Sequence, residues 1–224
     1  MAILAIDTCA NLCAAAVFRD DGSLRSRAVD DIGRGHAARL LGIVDEALLE
    51  AKVTLSDIER VLVTIGPGSF TGIRVGVATA RGYGVALKIP VEGITTFALL
   101  DAQARAEQPG EVETTVAISG GRGQIFTQRI SADALPVGPP EIVAVEHIDD
   151  VDLAKGSVLV GNAAPLLDPS KANRHLLEDR ATGDIAYAFR VAEHHTDAPE
   201  PLYIRGADAK PQQSFALPRK SALT

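Results

Sequence analysis

The run Val61-Leu62-Val63-Thr64-Ile65 passes straight into Gly66-Pro67-Gly68-Ser69-Phe70-Thr71-Gly72, and a helical pattern follows to about Leu87. Short, apolar and β-branched, the first segment suits a strand buried on both faces. A chain with this feature has to build a sheet whose buried strand ends in a glycine-rich turn and hands over at once to a helix. Ser69 is placed to cap that helix by accepting an orphan backbone N–H. Gly72, Gly76, Ala80 and Gly84 lie four apart and form one ridge with almost no side chain. Glycine costs about 1 kcal/mol relative to alanine inside a helix, so the ridge predicts close approach of another helix as compensation.

The rest of the first half supports a sheet around this unit. Apolar runs at 2–6 and 12–18, and a third segment at 23–29 after the Asp21-Gly22 turn, read as three opening strands, the last two antiparallel. From His36 the spacing changes to threes and fours through Leu40, Leu41, Val44, Ala47, Leu48 and Ala51, which predicts an amphipathic helix. Past Pro90 the expectations are a helix at 96–106, a break at Pro109-Gly110, strands near 113–118 and 124–130, a Pro/Gly-rich separator at 136–140, a short strand at 156–160 and a last helix to Glu193 after Thr182-Gly183-Asp184. A meander followed by helix, strand and helix is a mixed β/α order, unlike the strict alternation of a doubly wound sheet. The boundary between lobes is expected near residues 100–110.

At 224 residues the chain suits one large domain or two small lobes. Its 46% apolar and 23% charged residues exclude disordered, collagen-like and coiled-coil classes. The net charge of −7 argues against a stand-alone nucleic-acid binder. One basic cluster stands apart, since residues 201–224 hold Arg205, Lys210, Arg219 and Lys220 against the single acid Asp208. Pro211, Pro218 and polar neighbours favour a mobile tail, with contact to a nucleic acid as the alternative. The two cysteines, Cys9 and Cys13, fit a reducing compartment rather than a disulfide scaffold. The amino end lacks a basic stretch and meets Asp7 after a few apolar residues, so neither a signal peptide nor a membrane span is expected and the chain is read as cytoplasmic.

Two segments invite chemistry. The turn at Gly66, Gly68 and Ser69 can offer backbone N–H groups and a helix amino end to a phosphate, although it lacks the Lys of a Walker A loop and is not GxGxxG. Asp7-Thr8, at the end of the first strand, sits where phosphotransfer folds place a carboxylate for metal-bound water and a phosphate-facing hydroxyl. The plain alternatives are a tight turn with a capping serine, and an acid that terminates a strand. His36, His147, His175, His194 and His195 show no metal-ligand spacing, and Ser69 stands in no GxSxG elbow.

The segments ILAIDTCANLCAAAV near the start, His36, GPGSFTGIRVGVATARG at 66–82 and PLYIRGADAK at 201–210 together resemble the TsaB family, also called YeaZ, in order and spacing. The resemblance implies an α/β fold of the actin, sugar kinase and Hsp70 type, with two ribonuclease-H-like lobes at 1–103 and 104–224, the second reduced. It implies a role in making threonylcarbamoyladenosine at the tRNA adenosine beside the anticodon. There the chain would be the non-catalytic partner of TsaD, with the ATPase TsaE assisting and tRNA met only through the complex. No catalytic residue, metal or membrane contact is then expected. Catalytic relatives carry an HxxxH site beyond their own GPG loop, where residues 90–106 here hold no histidine. ATP or ADP would sit at the complex interface, with Asp7, Thr8, Gly66, Gly68 and Ser69 as nucleotide candidates and no cofactor for the chain alone.

Pairing through the first two helices would use His36, Leu40, Leu41, Val44, Gly72, Ile73, Gly76, Val77, Ala80, Arg81 and Gly84, and a homodimer is expected when TsaD is absent. Leu41, Val44 and Val77 equally suit the chain's own core. Two departures from the family stand out: Ser119-Gly120-Gly121-Arg122 replaces an Asp-Ala-Arg, removing an acid near the inter-lobe cleft, and Cys9 stands where serine is common. A small actin-type ATPase or kinase using Asp7, Thr8 and the GPG loop, and a glycoprotease-like hydrolase, remain the competing enzyme readings.

Overall fold

The structure, a computed structural model, describes residues 1–110, 112–151, 153, 157–170 and 172–204. The four cations read as a basic tail, and most of the PLYIRGADAK segment, lie outside the described residues.

Five strands form the first sheet: β1 (Ala2–Asp7), β2 (Leu12–Arg19), β3 (Leu24–Asp31), β4 (Ile58–Thr64) and β5 (Val91–Ile94), in the order β3-β2-β1-β4-β5. The first three are antiparallel, whereas β4 pairs β1 in parallel and β5 pairs β4 in parallel. Strand alternation sends Leu4 and Ile6 to one face and Ile3 and Ala5 to the other, and both faces are covered. The helices α1 (His36–Ala51) and α2 (Phe70–Leu87) pack on the first face. On the second lie α3 (Thr96–Glu107) and, after the four-residue α4 (Ala164–Leu167), the helix α5 (Ala188–His194).

The second sheet repeats the plan with β6 (Thr114–Gly121), β7 (Gln124–Ile130), β8 (Pro136–Ala144), β9 (Val158–Val160) and β10 (Arg174–Leu176). Its order, β10-β9-β6-β7-β8, is the first sheet's order read from the other edge, again with three antiparallel strands and two added in parallel. It carries far less helix. α3 is shared, giving Leu99 to the first core and Phe97, Leu100 and Ala104 to the second. A division at 103/104 therefore runs through α3 rather than through a linker. The chain end also returns to the first sheet: Asp197 and Gly93 exchange backbone hydrogen bonds at 2.8 Å, and Leu202 N–H donates to the Ile65 carbonyl at 2.8 Å.

The stretch 136–140, expected as a separator, is the start of β8. Its prolines are tolerated because β8 is an edge strand and Pro139-Pro140 fall at an irregularity in its pairing with β7. β5, only four residues long, was too short for its pattern to stand out.

The glycine ridge corrects a larger expectation. A Cβ on Gly72 would lie 2.0 Å from the Thr8 carbonyl oxygen, one on Gly76 2.4 Å from Thr8 Oγ1, and one on Gly84 2.4 Å from Val91 Cγ2. The close approach that these glycines permit is thus to the chain's own β1 turn and β5, not to a partner helix. Ala80, Leu40, Val44, Ile73 and Val77 are buried in the same core, and buried His36 places Nε2 3.1 Å from the Leu12 carbonyl oxygen. Of the expected pairing residues, Leu41 and Arg81 are the ones fully on the surface.

The orientation of α2 is directly testable. Gly76→Ala is expected to destabilise the fold by about 1–3 kcal/mol, because the buried Thr8 hydroxyl has to move. At Gly82, where a Cβ meets nothing within 4 Å, alanine is expected to be neutral or stabilising. Urea unfolding measures both, and equal effects at the two positions would contradict the orientation.

Candidate functional site

β1 and β4 run parallel, so their carboxyl ends bring Asp7-Thr8-Cys9 beside Thr64-Ile65-Gly66 and the turn that starts α2. All five nucleotide candidates therefore meet at one end of the first sheet. Their polar groups are turned on one another. Asp7, 1% exposed, accepts through Oδ1 from the Cys9 N–H at 2.9 Å and from the Thr64 hydroxyl, and through Oδ2 from the Thr182 hydroxyl at 2.8 Å. Thr8 is fully buried and donates its hydroxyl to the Gly72 carbonyl at 2.8 Å.

The loop closes from above. Ser69 N–H donates to the Cys9 carbonyl at 2.6 Å, and Ser69 Oγ caps α2 by accepting from Gly72 N–H at 3.2 Å. Gly68 is needed for close approach, since a Cβ there would lie 2.0 Å from the Cys9 carbonyl oxygen. Gly66 accepts from Thr96 N–H at 2.8 Å, joining the loop to the start of α3. The side-chain groups of Asp7, Thr8 and Ser69 are thus all engaged within the chain. Thr182 covers one oxygen of the acid, and the Ser69 N–H of the loop already serves Cys9.

The other reactive groups give no centre of their own. Burial pushes the Cys9 thiol far above its ordinary range and the Cys13 thiol up to about 11, so both are held as neutral thiols at physiological pH. Among the described residues no three His, Cys, Asp or Glu side chains are placed to hold a metal ion. His194 and His195 lie exposed at the end of α5, His195 3.3 Å from Asp197. Near the end of β6, Ser119 N–H donates to Asn162 Oδ1 at 2.9 Å.

Large aliphatic side chains stand exposed on both α1 and α2. Leu41 is 56% exposed, Leu49 80% and Val85 81%. Along α2 the exposed residues Arg74, Ala78, Gly82 and Ala86 form a second four-residue ridge, about 200° around the helix from the buried one. Sequence reasoning missed it, although its signal was the same small-residue spacing shifted by two. At the head of α2, Arg74 stacks over Phe70 at 3.7 Å and donates from Nε to the Tyr203 hydroxyl at 2.7 Å, leaving Phe70 and Tyr203 about half exposed.

Two sheets of one plan, with a loop-to-helix crevice at the end of the first, define a protein of the actin, sugar kinase and Hsp70 ATPase-fold class. The family model for TsaD, tRNA N6-adenosine threonylcarbamoyltransferase, matches residues 30–156. An uncharacterized protein of Mycobacterium tuberculosis is 33% identical over 221 residues, covering 93% of this chain and 94% of that one. The tRNA threonylcarbamoyladenosine biosynthesis protein TsaB of Escherichia coli is 31% identical over 133 residues, 59% of this chain and 56% of that one. YeaZ from Pseudomonas aeruginosa superposes with a TM-score of 0.75 at 23% identity, covering 91% of this chain and 99% of that one. The chain belongs to the TsaD family, and within it is a TsaB/YeaZ-like protein.

Removing the Asp7 carboxylate leaves the buried Thr64 and Thr182 hydroxyls without their acceptor. Asp7→Ala is expected to lose about 2–4 kcal/mol in urea unfolding, and Asp7→Asn less, because its amide oxygen still accepts. Calorimetry of the chain alone with millimolar ADP is expected to show no saturable heat. Saturable ADP binding lost in Asp7→Ala, with stability unchanged, would contradict the closed crevice.

Proposed function

We propose that this chain acts in forming threonylcarbamoyladenosine at the tRNA adenosine beside the anticodon, as the non-catalytic subunit that holds and activates TsaD. The observation that carries the reading is the exposed side of α1 and α2. Leu41 and Leu49 on α1 and Val85 on α2 stand exposed, and Ala78, Gly82 and Ala86 form a ridge on α2 that lets another backbone come close. A small-residue ridge between apolar anchors suits helix-on-helix packing across an interface, with Arg74 and Arg81 at its rim. The Asp7 crevice supports the division of labour, since its polar groups serve the chain's own fold.

In this reading ATP or ADP is held at the joint between the chains, TsaE joins the pair, and tRNA is met only through the complex. Alone, the same face pairs with its own copy as an isologous homodimer. The setting is the cytoplasm, without membrane attachment; no helix among the described residues is long and apolar enough to cross a membrane.

Light scattering behind a sizing column tests the reading, on the chain alone and mixed with TsaD from the same source, with and without ATP. A one-to-one heterodimer that displaces the homodimer is expected. Val85→Arg and Gly82→Trp change exposed positions, so each is expected to keep its unfolding midpoint while weakening pairing by at least about tenfold, or 1.4 kcal/mol. Normal pairing by both variants would reject this face, and a chain that ignores TsaD would reject the reading.

A further inference from the structure

A cavity of about 260 Å³ lies between α3, α5 and the β7–β8 hairpin, with Ile65, the neighbour of the GPG loop, in its wall. Its volume falls just under the ~300–1,000 Å³ typical of small-ligand sites, which suits a small molecule rather than a peptide. Ile65, Ala98, Ala102, Ile130 and Leu202 supply apolar wall from both sheets and from the returning chain end.

Asp101 and Asp197 balance Arg105 and Arg190 in number on the lining, but the four differ in how far they are engaged. Asp101 is taken by Arg105 Nε at 2.7 Å and by the Thr114 hydroxyl at 2.6 Å. The remaining Arg105 nitrogens donate to the Ala132 and Ser131 carbonyls at 2.9 and 2.7 Å, and His195 faces Asp197. Buried Gln128 is pinned by donating Nε2 to the Gly138 carbonyl at 3.0 Å. Arg190 and His194, one helical turn apart on α5, are left on the lining with no hydrogen bond or ion pair among the described residues. Both are exposed, so they stand at the rim, where water reaches them and the wall behind is apolar.

An apolar cavity with an unpaired guanidinium at its rim is complementary to one kind of occupant. We propose that it binds a small organic monocarboxylate, the carboxylate on the Arg190 guanidinium and the hydrocarbon body among Ile65, Ala98, Ala102, Ile130 and Leu202. The guanidinium can meet both carboxylate oxygens with parallel N–H donors, which an alcohol or an amine cannot exploit. Each methylene drawn from water onto the wall adds to affinity until the cavity is full. This site is independent of pairing with TsaD.

Titration calorimetry of the full chain with butanoate, hexanoate and octanoate, and with the matching alcohols, tests the assignment. Affinity is expected to rise roughly threefold to fourfold per added methylene and then level off as the cavity fills. The acid should exceed its alcohol by about tenfold, and Arg190→Gln should erase that difference while leaving the unliganded unfolding midpoint unchanged. Ala102→Phe, which fills the cavity, should remove binding of both. No saturable heat at millimolar acid, equal binding of acid and alcohol, or unchanged acid binding by Arg190→Gln would each overturn the proposal.

Discussion

The buried Asp7 carboxylate is the point at which separate parts of this chain are tied together. It closes the tight turn after β1 through the Cys9 N–H, fixes the end of β4 through Thr64, and reaches a segment 175 residues away through Thr182. A carboxylate so enclosed is tolerable only because each oxygen accepts a hydrogen bond. Thr182 precedes Gly183, where a Cβ would lie 2.5 Å from the Leu99 carbonyl oxygen, so the returning chain is pressed onto α3 at the same place. The acid at the end of the first strand works inward, as a tie between β1, β4 and the segment at Thr182.

The same economy of space shapes α2. Its inner ridge of Gly72, Gly76, Ala80 and Gly84 lets the helix lie directly on Thr8 and Val91, which holds the GPG loop down on Cys9. Its outer ridge, two residues out of phase, stays open to solvent. One helix therefore packs on the Asp7-Thr8 turn with one side and leaves a ridge of small residues in solvent with the other.

Much of this was legible in the sequence. The ends of α1 and α2 matched their patterns, because His36 to Ala51 keeps strict helical spacing and Ser69 supplies a cap. The meander and the buried strand before the GPG turn also stood out, since β-branched runs and an Asp-Gly turn are strong local signals. What failed was direction. With small residues at 72, 76, 80 and 84 and again at 78, 82 and 86, periodicity could not say which side of α2 faced the sheet. The role of Asp7 was illegible for another reason: it depends on Thr182, which no local pattern connects to it. The prolines of β8 concealed a strand because a sequence does not announce which strands will be edges.

A structure of the chain bound to TsaD and ADP tests the central claim most directly. The account predicts Ala78, Gly82 and Ala86 against a TsaD helix, Asp7 still held by Thr64 and Thr182, and any nucleotide outside the crevice. An Asp7 released from Thr182, with phosphate seated between Thr8 and the GPG loop, would contradict it.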